Sequence, residues 1–293
     1  MRRSNIRWHR LTRPESASSG DGRAGSDREA FYAAAPRAPS PLQRALIVLA
    51  RNTVLHRGKM RHLMTRLIML LGGNRPLDVL FRGCVYRIAG RTNLIEYGLL
   101  LNPNYNRPDL DFLLDGLKEG DVAVDIGANV GLYSLPLAKA VGASGRVVAI
   151  DANPLMIQGL AWNAAASGLY NIALHATPVG AADGRVELYS RSGDAAMVKV
   201  EESADGSVAM RSLMAIVDEE ALERIDVLKI DIEGYEDKVL VPFLAQARDA
   251  LLPTRIVIEH IRGEDYPGCK AAFERLGYAL IGRTKQNSLY RRN

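Results

Sequence analysis

The feature that most constrains the fold is a regular alternation, from residue 122 onward, of short apolar runs with longer segments of helical period. Apolar runs predict buried strands at 122–126, 146–150, 172–176, 225–230 and 255–259. Helices are predicted between and after them, over 132–141, 154–167, 213–222, 236–247 and 269–276, with Pro154 in a first helical turn, where its missing N–H costs nothing. Consecutive parallel strands need a crossover, usually a helix, so this order predicts an α/β domain around a mainly parallel sheet. Residues 278–281 and 288–290 read as a terminal hairpin. Asp183-Gly184 introduces a β insertion, with strands expected at 185–190, 195–200 and 207–211. Upstream, 79–81 and 85–88 are strand-like around Arg82-Gly83, the apolar stretch 94–101 continues that text, and 110–117 reads as a short helix.

Charge divides the chain. Residues 1–78 hold 15 Lys and Arg against 5 Asp and Glu, whereas residues 79–293 hold 23 against 28. The basic character therefore belongs to an N-terminal extension, and its partner is expected to differ from that of the mildly acidic domain at 79–293. Residues 1–41, rich in Arg, Ser, Ala, Gly and Pro, are expected to be a disordered tail. Residues 42–78 form a basic amphipathic segment: Met60, Leu63, Met64, Leu67, Ile68 and Leu71 recur at helical spacing, Arg61, His62, Thr65 and Arg66 take the other face, and Gly72-Gly73 ends the run. Such a helix can pack on the main domain or lie on an anionic membrane surface. No uncharged apolar run is long enough to span a bilayer, and the N-terminus lacks the apolar core of a secretory signal. Cys84 and Cys269 form neither a disulfide framework nor a zinc-type pair, so no metal is expected and a reducing, cytoplasmic setting fits, peripheral at the membrane if the basic helix docks there. With 47% hydrophobic and 24% charged residues, a collagen or a wholly disordered chain is excluded.

Four segments carry chemistry. The first, Asp125-Ile126-Gly127-Ala128-Asn129-Val130-Gly131, sits where a buried strand turns into a helix. Gly127 and Gly131 allow close backbone approach, and the helix start offers free N–H groups. The pattern is not the glycine fingerprint of a dinucleotide site, because its first glycine is missing and Asp125 precedes Gly127 by two residues. A carboxylate there would repel a pyrophosphate and suit a ligand carrying positive charge; S-adenosylmethionine is such a ligand. The second, Ile150-Asp151-Ala152-Asn153-Pro154, ends the next strand in an acid 20 residues after Gly131, placed to accept hydrogen bonds from both ribose hydroxyls or else to cap the following helix.

The third segment, Lys229-Ile230-Asp231-Ile232-Glu233-Gly234-Tyr235-Glu236, runs out of a central strand. In an extended chain Asp231 and Glu233 face one side, where they could bind acceptor hydroxyls, deprotonate one, hold a cation or cap the next helix, which Glu236 would support through the macrodipole. The fourth, Ile256-Val257-Ile258-Glu259-His260, ends a further strand. Neighbours on a strand point to opposite faces, so at most one of Glu259 and His260 enters a given pocket, and His260 is a candidate general base.

These motifs, in this order and spacing, resemble the FkbM-type methyltransferase family over about residues 80–290: DIGANVGLYS at 125–134, IDANP at 150–154, DVLKIDIEGYE at 226–236 and IVIEH at 256–260. The resemblance implies a Rossmann-like seven-stranded sheet with helices on both faces and an antiparallel last strand. It implies S-adenosylmethionine as cofactor, with Asp125, Gly127, Asn129 and Gly131 at its methionine end, Asp151 at its ribose, and Asp231 and Glu233 near the transferring methyl. The family usually carries Glu-Pro where this chain has Asp151-Ala152; the shorter acid still reaches a ribose. O-methylation of a hydroxyl on a sugar, glycan or secondary metabolite is the expected activity, with Asp231 or His260 receiving the acceptor proton. Two other readings are a methyltransferase with a nitrogen or nucleic-acid acceptor and a cofactor-binding module without turnover. Few aromatics lie near the strand ends to stack an extruded base, which argues against nucleic acid. The insertion at 183–211 and the segment 79–118 are expected to cover the pocket.

Overall fold

The computed structural model describes residues 37–89, 93–190, 198–203, 205–261 and 263–292. Most of the expected disordered tail and the first half of the strand expected at 195–200 lie outside the described residues. The chain enters as α1 (Pro41–Arg51), a 3-10 turn at Val54–His56 and α2 (Gly58–Leu71). Helix α1 starts one residue before the expected boundary because Ser40 and Gln43 form a reciprocal capping box, with Pro41 in the first turn. A two-stranded hairpin follows, β1 (Leu77–Phe81) with β2 (Cys84–Ile88), then α3 (Leu94–Leu101) and α4 (Arg107–Leu114). Residues 94–101 are thus helix rather than a continuation of the strand-like text; the Asn93 side chain accepts the N–H of Ile95 and caps the turn.

The strands of the central sheet are β3 (Val122–Ile126), β4 (Arg146–Asp151), β5 (Ile172–Ala176), β10 (Val227–Ile230), β11 (Arg255–Glu259), β12 (Tyr278–Arg283) and β13 (Asn287–Arg292). They lie in the order β12-β13-β11-β10-β3-β4-β5. Strands β5, β4, β3, β10 and β11 run parallel, and β13 is antiparallel to both of its neighbours. The crossover helices are α5 (Ser134–Val141), α6 (Pro154–Ala166), α7 (Leu213–Glu219), α8 (Glu236–Gln246) and α9 (Pro267–Arg275). The insertion forms a small second sheet from β6 (Val179–Gly180), β7 (Gly184–Ser190), β8 (Val198–Glu202) and β9 (Val208–Ser212).

Period-two alternation splits the core between the two faces. Ala123, Val147, Val227 and Val257 face one cluster; Val124, Val148, Leu228 and Ile256 face the other. Ile47, Ala50, Met64, Ile68 and Met69 of α1 and α2 belong to the first cluster, so these helices are part of the domain's own core. Arg51 fastens α1 to α3 by donating to the carbonyls of Leu99 and Leu100. From β3 the chain winds outward to β4 and β5, then returns to β10 and β11 on the other side of β3. The strand order therefore reverses between β3 and β10, and open α/β sheets place their ligands outside the strand ends at such a point.

Candidate active site

A cavity of about 910 Å³ opens at the carboxyl ends of β3, β4, β10 and β11. Its floor is built by strand register. Pairing of Ile230 with Ile126 brings the turns after β10 and β3 together, and the N–H of Asp231 donates to the carbonyl of Ile126 at 3.1 Å. Gly127 has φ +72, and a Cβ there would sit 1.9 Å from the carbonyl oxygen of Asp231, so a glycine is required on both counts. Asn129, also left-handed at φ 48, accepts from Asn93 Nδ2 and from the N–H of Val130 through its side chain.

Asp151 ends β4. Its Oδ2 accepts the N–H of Asn129 and its Oδ1 the N–H of Asn153, both at 2.8 Å. Burial outweighs those two donors and lifts its carboxyl to about 6. The two hydrogen bonds fix the carboxylate in place on the cavity wall. Beyond it Ile150, Pro178 and Val179 give the wall an apolar stretch.

Asp231, Glu233 and Glu259 converge at the opposite end, each offering an oxygen within 4.8 Å of the others. Burial, reinforced by Asp231, Glu233 and Glu236, raises the Glu259 carboxyl to about 8, so it carries a proton at neutral pH. Glu233 is held at φ 56, a left-handed backbone that a non-glycine residue adopts at a cost. Glu236, fully buried at the start of α8, accepts the N–H groups of Ile232 and Gly234 and so shapes the loop that presents Asp231 and Glu233.

Gly127, Asn129, Asp151, Asp231 and Glu233 line the cavity, whereas Asp125, Gly131 and His260 do not. Asp125 is wholly buried beneath the floor, where it accepts from Ser134 Oγ and faces Lys229 Nζ at 3.5 Å. Alternation along β3 points its side chain under α5, outside the cavity lining, where a cofactor contact was expected. Gly131 serves packing, since a Cβ there would run into Leu135 and Leu160. His260 is turned toward the last hairpin, its Nδ1 accepting from the N–H of Gly263 at 2.9 Å and its Nε2 placed to donate to the carbonyl of Thr284. Both ring nitrogens of this candidate base are engaged by backbone groups, and it is Glu259, its strand neighbour, that lines the cavity.

Several functional residues escape a reading of the sequence alone. Lys229 donates to the carbonyls of Gly127 at 2.7 Å and Ile126 at 3.3 Å. Although burial opposes its charge, Asp125, Asp231 and Asp151 hold the ammonium above its ordinary range. A lone lysine inside an otherwise apolar strand is the signal that could have found it. Tyr133, also on the wall, donates to Asp109 Oδ2, which in turn accepts from Asn287 Nδ2, tying α4 and α5 to β13. The cover comes from 93–106, as expected, and from three unforeseen places: Arg51, the α1–α2 turn at 56–61, and Lys285-Gln286. No residue of the 183–211 insertion lines the cavity among the described residues.

The profile of the methyltransferase FkbM domain matches residues 125–279, more than half of the chain, and the protein belongs to that family. A 74-residue stretch is 36% identical to the 23S rRNA (uracil(1939)-C(5))-methyltransferase RlmD of Acinetobacter baylyi; it covers 25% of this chain and 16% of that relative's length. Among solved structures, TYW2 of M. jannaschii in complex with AdoMet is similar over 74% of this chain and 87% of its own, with 16% identity and a TM-score of 0.41. The O-methyltransferase TomG of Streptomyces achromogenes, solved with SAM, is similar over 64% and 78%, with 15% identity and a TM-score of 0.39.

Proposed function

We propose that the protein transfers the methyl group of S-adenosylmethionine to a hydroxyl oxygen of a sugar or similarly polyhydroxylated metabolite. The residues present fit that cofactor. Asp151 offers a fixed carboxylate to a ribose diol, the apolar wall beyond it suits a flat heterocycle, and the nearby carboxylates favour a sulfonium. A cavity of about 910 Å³ is at the upper end of ordinary ligand sites and leaves room for an acceptor beside the cofactor.

The observation that carries the oxygen acceptor is the convergence of Asp231, Glu233 and Glu259. When bound, S-adenosylmethionine supplies an activated methyl whose leaving group is a neutral thioether. An acceptor hydroxyl would give up its proton on methylation, and that proton needs a receiver on this chain. Asp231 accepts it at the end of β10, and Glu259 exchanges protons with Asp231 across the trio. Asn102, Asn104, Asn106 and Gln286 line the same cavity, and such amides donate to and accept from sugar hydroxyls. The cover formed by 93–106 and the α1–α2 turn excludes water and aligns the acceptor.

The test is transfer of a labelled methyl from S-adenosylmethionine to a panel of sugars, glycans and hydroxylated metabolites, with Asp231→Asn alongside. Label recovered as an ether, with kcat lowered by about a hundredfold or more in the variant, is expected. Label recovered on nitrogen or carbon would refute the assignment of oxygen.

A further inference from the structure

Sixteen large apolar side chains stand exposed among the described residues, and nine of them fall within residues 42–71. Helix α2 is apolar on two sides. Met64 and Ile68 enter the core, while Leu63, Leu67 and Leu70, spaced as one helical stripe, are 58%, 39% and 63% exposed. Val48 on α1 and Val54 in the connecting turn are 58% and 70% exposed. The single stripe evident in the sequence is therefore shared between the core and an open face.

The hairpin that bears that face carries one sign of charge. No acidic residue occurs between Glu29 and Asp78. Arg44, Lys59, Arg66 and Arg75 are exposed, and none of them forms an ion pair among the described residues. Exposed apolar side chains interleaved with unpaired cations complement an anionic bilayer. They do not complement a second copy of the same face, which would set like charges against like around a two-fold axis. We infer that the α1–α2 hairpin docks this protein on an anionic phospholipid surface, with Val54, Leu63, Leu67 and Leu70 inserted among the acyl-chain ends and the cations at headgroup level.

The same hairpin forms the mouth of the catalytic cavity. His56, Arg57, Gly58 and Arg61 line it, adjoining the exposed Val54 and Met60. Docking thus brings the cavity mouth to the headgroup layer and favours acceptors held at that surface. No helix among the described residues is long and apolar enough to cross a membrane, so the contact is interfacial.

The experiment is flotation of the full chain with phosphatidylcholine vesicles, with and without phosphatidylglycerol. Leu63→Glu/Leu70→Glu is the test variant and Leu280→Glu, an exposed leucine on β12, the control. Far-UV circular dichroism and a thermal melt confirm that each variant is folded. The inference predicts co-flotation only with the anionic vesicles, weakened by salt, reduced about tenfold or more in the double variant and unchanged in the control. Failure to float refutes it. Equal flotation of the double variant refutes it as well, by placing the contact in the basic residues 1–36. Concentration-dependent dimerisation abolished by the double variant would overturn it in favour of a second copy as the occupant.

Discussion

Glu259→Gln should stabilise the protein at alkaline pH while impairing catalysis. In the folded chain the Glu259 carboxyl is lifted from near 4.5 to about 8 by burial and by Asp231, Glu233 and Glu236. Between those pH values the unfolded chain releases this proton and the folded chain retains it, so wild-type stability declines as pH rises through the interval. At about 1.4 kcal/mol per pH unit the upper bound is about 5 kcal/mol. Glu259 is half-buried rather than sealed, and the trio shares its protons, which reduces the expected cost to about 1–3 kcal/mol. Glutamine keeps the shape and removes the titration. Scanning calorimetry in chelator should show the variant melting roughly 2–10 °C above wild type at pH 8, with the gain falling below about 1 kcal/mol near pH 5. Its kcat should fall, because glutamine can no longer exchange a proton with Asp231. A variant less stable than wild type at pH 8, or one equally stabilised at both pH values, would refute the reading that burial and the neighbouring acids hold a proton on Glu259.

Lys229→Met leaves Asp125 buried without its cation and should cost about 3–5 kcal/mol, with part of the loss recovered in Asp125→Asn/Lys229→Met; urea unfolding checks both. Gly127→Ala forces a Cβ against the Asp231 carbonyl at positive φ and should cost about 2–5 kcal/mol, with cofactor binding lost in calorimetry of the folded variant. His260→Gln should leave the pH–rate profile unchanged in shape, because both ring nitrogens are bound to backbone outside the cavity; loss of a limb of the profile would restore it as a base.

The sheet was legible because its strands are short apolar runs buried on both faces, so 122–126 and 255–259 stand as expected at both ends. The acids Asp151 and Asp231 were legible because strand ends at a switch point are where such a sheet can bind. Glu259 and His260 show how far alternation reaches: it admits one of the two to the cavity without saying which. Asp125 shows where local pattern stops. Its role depends on Lys229, a partner remote in sequence and set beside it by the register of β3 with β10. The α1–α2 turn could not be assigned to the cavity mouth from periodicity, because its placement rests on tertiary contacts such as those of Arg51 with the carbonyls of Leu99 and Leu100.

The most direct measurement is isothermal titration of S-adenosylmethionine into the wild-type protein and Asp151→Ala, each at pH 5 and pH 7.5. On the proposed role Asp151 would accept ribose hydroxyls best when ionised, and burial lifts its carboxyl to about 6. The account predicts micromolar binding at pH 7.5 that weakens at pH 5 in the wild type, and weak binding without that pH dependence in Asp151→Ala. Absence of binding by the folded wild-type protein, or equal binding by the variant at both pH values, would contradict the assignment of this cavity to the cofactor.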